Sequence, residues 1–431
     1  MARLGWSGVT RVLALAATTT LVLPPLQAGA QQAPAPVTST FSVRIGGYVQ
    51  TNVTWDSDEN TADNPSALRQ FAVGRAAAEE GRETLRWAAT RTRLFIDVRG
   101  PEVWGAKSRA YTEFDWDGLK LSDTTPGSTS ASAASTPRLR HAYARFDWPA
   151  MYLTGGQTTL IFNSVVSSQS ELEGVSSNHG DMTAGSRNRA PQFILGSVIP
   201  IAGAKLELVG SVGRHATDRQ AAQGLNDSGA RSALPALQGV VKGSTPLFGR
   251  DAILAVSGYW GEETLTAGAF RDVHSEGLAV EAFLPLPTIA GISPDLRGSW
   301  FAARNMARWN LGNAGASGGG AGLTSTSPTG KPREIPSKGF WAEGNLSLPW
   351  NFAIGAGYGD VEDDRDRVVM IASSTQPLYN TAWWLFSQWT AGPVLMELLY
   401  GRIQTTYIET ALAREHDTQS EAVHLIFRYR F

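Results

Sequence analysis

The sequence predicts an all-β protein, a single transmembrane antiparallel β-barrel of sixteen strands with long extracellular loops and short periplasmic turns. Three observations predict it. Beyond residue 40 both ends of the chain alternate apolar and polar residues with a period of two, the spacing of a half-buried strand. Between the candidate strands seven short turns alternate with eight long polar loops, which makes sixteen strands with no element left over. The composition is low in charge, at 18%, and rich in Gly (45 residues) and Trp (14), as suits tight turns and an apolar outer surface.

The elements follow in order. Residues 1–30 read as a secretory signal peptide: Arg3 and Arg11, an apolar stretch from Val12 to Leu23, then Ala28-Gly29-Ala30 before Gln31. Its removal leaves 35 basic against 39 acidic residues, a balance with no electrostatic footprint for nucleic acid. No later segment holds eighteen consecutive apolar residues, so an exported chain that crosses a membrane must do so as a closed barrel. Residues 31–40 form a short periplasmic segment, in which Pro34 and Pro36 preclude a stable helix. The barrel occupies 41–431. Its first strand places Ile45, Val49, Thr51, Val53 and Trp55 on one face and Arg44, Tyr48, Gln50, Asn52 and Thr54 on the other.

Short turns fall near Gly100–Trp104, Asp147–Ala150, Pro200–Gly203, Pro246–Arg250, Pro285–Pro294, Pro349–Asn351 and Gly392–Pro393. Long loops cover Asp56–Leu85, Gly118–Thr136, Leu160–Arg189, His215–Arg231, Glu262–Arg271, Asn310–Lys338, Asp360–Tyr379 and Thr410–Gln419. Trp55, Trp116, Trp260 and Trp309 lie near the loops, and Trp104, Trp148 and Trp350 near the turns, as in the two aromatic girdles of an outer-membrane barrel. Two strands depart from the pattern. Val394–Tyr400 is apolar on both faces except at Glu397, and Ala353–Gly359 carries only Ala and Gly on one face; both read as staves against a partner subunit or a plugging loop. The last strand returns to clean alternation, Val423, Leu425, Phe427, Tyr429 and Phe431 against His424, Ile426, Arg428 and Arg430.

Chemistry is read from where the charges lie. The chain has no cysteine, which excludes disulfides, thiolate metal sites and thiol catalysis. The six histidines are scattered, and the acidic stretches at 56–60 and 360–366 lack EF-hand spacing, so neither a metal nor another cofactor is expected, and no enzyme. A charge on the lipid face near mid-membrane costs about 2–4 kcal/mol, which sends charged residues inward. On that ground Arg44, Arg91, Arg93, Arg99, Arg109, His141, Arg145, Arg428 and Arg430 line the lumen as a basic ladder, beside Asp97, Glu113, Asp115 and Asp147. Those acids could equally make an internal salt-bridge network. Arg138 and Arg140 have the wrong parity and belong near an interface, at a bulge or in a subunit contact. The loop at Leu160–Arg189 is the candidate constriction. Its Glu171, Glu173, Asp181, Arg187 and Arg189 facing a basic wall would set a transverse field across the pore.

The C-terminal run His424 to Phe431, with its terminal aromatic residue, resembles the assembly signal of Gram-negative outer-membrane barrels. More narrowly, Arg44-Ile45-Gly46-Gly47-Tyr48, Arg91-Thr92-Arg93-Leu94, Arg138-Leu139-Arg140-His141-Ala142-Tyr143 and Gly155-Gly156-Gln157-Thr158 resemble the DcaP-like porins. The resemblance covers Phe41–Phe162 and the C-terminus, and does not extend to the N-terminal coiled coil that some of that family carry. It implies a homotrimeric sixteen-stranded porin of the outer membrane, in contact with lipid and lipopolysaccharide, that passes small anionic solutes such as dicarboxylates. The inward arginines would be the anion-contacting set. Cation- or sugar-selective porins and a closed structural or adhesive barrel are the alternative readings.

Overall fold

The computed structural model describes residues 41–58, 81–116, 136–170, 189–215, 232–265, 271–306, 325–326, 332–370, 375–409 and 412–431. Sixteen antiparallel staves close into one barrel. They are β1 (Ser42–Asp56), β2 (Thr84–Ala88 and Arg93–Val103, one interrupted stave), β3 (Ala106–Asp115), β4 (Arg138–Asp147), β5 (Met151–Thr159), β6 (Arg189–Ile201), β7 (Ala204–Gly213) and β8 (Ala236–Leu247). They continue as β9 (Arg250–Leu265), β10 (Arg271–Pro285), β11 (Ser293–Arg304), β12 (Pro336–Leu348), β13 (Phe352–Asp363), β14 (Thr375–Ala391), β15 (Val394–Glu409) and β16 (Arg414–Arg430). β1 closes the ring on β16, from Tyr48 opposite Arg430 to Asp56 opposite Ala422, so no edge is left in the wall.

Each short turn expected from the sequence joins two consecutive staves, but the long loop expected at Thr410–Gln419 shrinks to 410–413 because β16 begins at Arg414, and that at Glu262–Arg271 shrinks to 266–270 because β9 runs to Leu265. Five of the turns pass through two consecutive residues with positive φ: Trp104-Gly105, Ala202-Gly203, Phe248-Gly249, Ala290-Gly291 and Trp350-Asn351. This is the backbone of a type I′ turn, whose twist matches that of the flanking strands. Along the staves exposure alternates. Ile45, Val49, Phe193, Leu254 and Leu385 are exposed while Gln50, Asn52, Gln192, Ala255 and Phe386 are buried, which makes an apolar outer belt around a largely polar interior. Among the described residues no helix is long and apolar enough to cross a membrane, so the staves do the crossing. Trp104 and Trp350 stand fully outward at the turns, and Trp116 and Trp260 lie toward the loops; Trp309 lies outside the described residues.

The interior is not uniform. On β10–β16 an apolar cluster fills part of the lumen, with Phe301, Trp341, Trp384, Phe386, Leu395, Leu399, Ile403 and Ile426 from the wall and Leu160, Phe162 and Val166 from the loop after β5. Over residues 353–359 the inward face of β13 carries only Ala and Gly, because rings of the neighbouring β14 occupy the space above it. A Cβ at Gly355 would come within 2.4 Å of the Phe386 ring, and one at Gly357 within 2.2 Å of Trp384. The apolar inner face of β15 packs into the cluster that the inserted loop joins, one of the two readings its composition allows, whereas that of β13 is covered at Gly355 and Gly357 by rings of the wall itself.

Candidate functional site

The lumen is divided into two unlike walls. On β2–β4 the inward positions mix arginine, aromatic and acid, and the flanking β1, β5 and β16 add Arg44, Tyr48, Tyr152, Arg428 and Arg430. Arg99 is directly opposite Arg109, and Arg109 is opposite Arg145, three guanidinium groups on neighbouring staves. One row up, Arg44 faces Asp97, Asp97 faces Tyr111, and Tyr111 faces Tyr143. The rings hold the arginines by stacking: Arg44 is 5.0 Å from the Phe95 centroid, Arg109 5.1 Å from Tyr111, Arg145 3.8 Å from Tyr152 and Arg428 4.3 Å from Tyr48.

The acids divide these arginines into two groups. Nearer the loops, Arg138 donates to Asp115 at 2.9 and 2.6 Å, and Arg140 to Glu113 at 2.8 Å and Asp115 at 2.6 Å. Arg93 approaches Glu113 at 3.5 Å, and Tyr111 donates to the same carboxylate. Arg140 and Asp115 are almost wholly buried in this network. Nearer the turns, Arg109 donates to Asp97 and Arg145 to Asp147. Among the described residues Arg44 and Arg99 form no ion pair, and both are exposed.

The second wall is acidic and is occupied by the loop after β5. Residues 160–170 turn into the barrel and run along the inward faces of β8–β15. Phe162 N–H donates to Gln238, Asn163 N–H to Ser257 Oγ, and Ser299 Oγ to Asn163 Oδ1. Val165 and Val166 N–H both donate to Glu281 Oε2, at 2.7 and 2.8 Å. Ser168 Oγ and Gln169 N–H donate to Glu343, and Ser170 Oγ to Glu397. The in-folding of this loop was expected from its position. Its expected charged residues Glu171, Glu173, Asp181 and Arg187 lie outside the described residues, and Arg189 opens β6 opposite Thr159.

The remaining predicted residues are placed as follows. Arg44, Arg93, Arg99, Arg109, His141, Arg145, Arg428 and Arg430 occupy inward positions on their staves. Arg91 is not on a strand: it falls in the turn at 89–92 that interrupts β2, where Thr92 N–H donates to Ala89 O, and it is buried. His141 lies within 3.1 Å of Thr158 Oγ1 and against the edges of Tyr111 and Tyr143. From parity alone Arg138 and Arg140 were expected near an interface, at a bulge or in a subunit contact, and the structure holds the bulge. A bulge in β4, where Glu113 pairs with His141 but Phe114 pairs with Leu139, turns both Arg140 and His141 inward. Two outward apolar residues three apart, Leu139 and Ala142, are its signal in the sequence. Glu281 and Glu343 were missed altogether. Each is a lone inward carboxylate on a stave otherwise lined by small or apolar residues.

No family model and no curated protein matches the chain. Solved structures match over nearly its whole length. The outer membrane channel DcaP of Acinetobacter baumannii aligns with a TM-score of 0.61 at 17% identity, covering 91% of this chain and 97% of that one. An anion-selective porin from Comamonas acidovorans aligns at 0.54 and 10% identity, covering 91% and 100%. The trimer form of OmpT, an outer membrane protein of Vibrio cholerae, aligns at 0.50 and 10% identity, covering 91% and 99%. At these identities the likeness establishes the fold, which is that of the outer-membrane porins.

Proposed function

We propose that this porin-fold barrel is a passive diffusion channel of the outer membrane that prefers small anions, carboxylates among them. The observation that carries the reading is the registered row Arg99, Arg109 and Arg145 with Arg44 beside it, because Arg44 and Arg99 present donors that no carboxylate of the wall takes up. A guanidinium fork matches a carboxylate in two parallel bonds, and stacking on rings keeps it from collapsing onto the wall. The acids of the opposite wall are the counterweight that would favour cations. Glu343 gives both oxygens, and Glu281 one, to hydrogen bonds from neutral donors instead, which lowers their pull on a solute.

The mechanism is filtration by field and width. Residues 160–170 narrow the lumen from the acidic side and leave the open passage against the basic wall. An anion trades part of its hydration for the arginines and leaves because several weak sites follow one another. In this reading Arg138, Arg140 and Arg93 stiffen the wall, while Arg44, Arg99, Arg109 and Arg145 contact the solute. The barrel would assemble as a homotrimer with its apolar belt against lipid and lipopolysaccharide. A flux assay in proteoliposomes with anionic, neutral and cationic solutes of equal size tests it. The Arg44→Ala/Arg99→Ala variant should lose most of the anion advantage and keep neutral flux. Equal rates for the three solutes in the unaltered protein would contradict the reading.

A further inference from the structure

Arg145 is held from two sides. Asp147 takes its Nε at 2.8 Å and its Nη2 at 2.7 Å. Its guanidinium carbon lies 3.8 Å from the Tyr152 centroid, closer than any other arginine of the described residues comes to a ring. That ring is itself fixed. Tyr152 stands on β5, opposite Asp147 of β4 and Gly196 of β6. The ring passes over β6 at Gly196, where a Cβ would overlap its carbons and its hydroxyl, so the missing side chain is what lets the ring cross. Beyond β6 the hydroxyl donates to Glu207 Oε1 of β7 at 3.0 Å, and Lys242 of β8, directly opposite Glu207, donates to Oε2 at 2.9 Å. The chain Arg145, Tyr152, Glu207, Lys242 therefore runs across β4–β8, and all four side chains are half-buried. Arg109 has a shorter version of the same support, since it stacks on Tyr111, whose hydroxyl donates to Glu113. Arg44 stacks on Phe95, which has no hydroxyl to tie.

We propose, on the basis of the channel reading, that Tyr152 is a positioning residue for Arg145: clamped by Glu207 and Lys242, its ring presents the guanidinium fork to a passing carboxylate in one orientation. A guanidinium binds a carboxylate in its own plane through two parallel bonds, so a turn of that plane costs the second bond. Stacking fixes the plane to the ring, the hydroxyl fixes the ring to Glu207, and Lys242 holds that carboxylate by its other oxygen. The ammonium also balances the charge of the acid, which would otherwise oppose an anion at this point of the wall. Net charge and positioning give opposite forecasts at Glu207. Removing a carboxylate from the wall favours anions if only net charge counts, and disfavours them if Glu207 aims Arg145.

The test follows the flux of malonate and of malonamide, alike in size and different in charge, into proteoliposomes of the full-length protein at neutral pH. Heat-modifiable migration on gels shows that each variant has assembled. Tyr152→Phe keeps the ring and loses its tie to Glu207, and the malonate to malonamide ratio should fall severalfold. Glu207→Leu should lower the ratio too, although a negative charge has gone. Glu207→Gln, whose carbonyl still accepts the Tyr152 O–H, should recover most of it, and this pair decides the matter where Tyr152→Phe does not assemble. A ratio that is unchanged in Tyr152→Phe, or that rises in Glu207→Leu, overturns the positioning role and leaves the channel standing. Equal rates for the two solutes in the unaltered protein overturn both.

Discussion

Arg99 on β2 and Arg140 on β4 are both inward arginines, yet their surroundings give them opposite uses. Arg140 is buried between Glu113 and Asp115, so removing it takes from each of two buried carboxylates one of its charged partners, leaving Asp115 to Arg138 and Glu113 to Arg93 and Tyr111. Arg140→Ala should therefore destabilise the barrel by about 3–5 kcal/mol, the cost of breaking a buried pair. Arg99 is exposed and unpaired, and Arg99→Ala should change stability by about 0.5 kcal/mol or less. Denaturant unfolding of the two purified variants, set beside their solute flux, checks whether stability and selectivity separate as described. At this scale the sequence was legible wherever parity held, since Arg93, Arg99, Arg109 and Arg145 follow from period two alone. It was only partly legible at Arg140, where a bulge was one of three alternatives, and not at Arg91, where a local turn suspends the alternation.

Among the elements, the loop after β5 departs furthest from an ordinary porous barrel. Phe162 and Val166 are apolar residues in a polar loop, and they pack into the cluster formed by Phe301, Met306 and Trp384. Phe162→Ala should cost about 3–5 kcal/mol, as other large-to-small core changes do. It should also raise single-channel conductance, because the loop loses the anchor that seats it on β9 and β10. A variant of unchanged conductance and lowered stability would show that the loop holds its place without Phe162. The strands and their turns were readable because tight hairpins, apolar alternation and loop length repeat around the ring. The loop's course was readable only as a direction, inward. Its path depends on single carboxylates on β10, β12 and β15, far away in sequence and unremarkable until the barrel closes.

For the whole molecule, closure explains both the membrane and the pore. The outer belt must stay apolar, so Val49→Arg at an exposed outward position should cost about 2–4 kcal/mol and lower the yield of assembled barrel, read by its heat-modifiable migration on gels. The interior can then carry charge on one side and a loop on the other. Because the basic wall lines an aqueous passage, its field is screened by salt: anion preference should be strongest at low ionic strength, where the screening length is about 30 Å at 0.01 M, and weaken toward 1 M, where it is about 3 Å. The central claim is that the exposed arginines, and not the acids beneath the loop, set the sign of that field. The reversal potential of the purified protein in a planar bilayer across a salt gradient tests it most directly. The account predicts a potential of anion sign that moves toward zero in Arg44→Ala/Arg99→Ala. A potential of cation sign in the unaltered protein would contradict it.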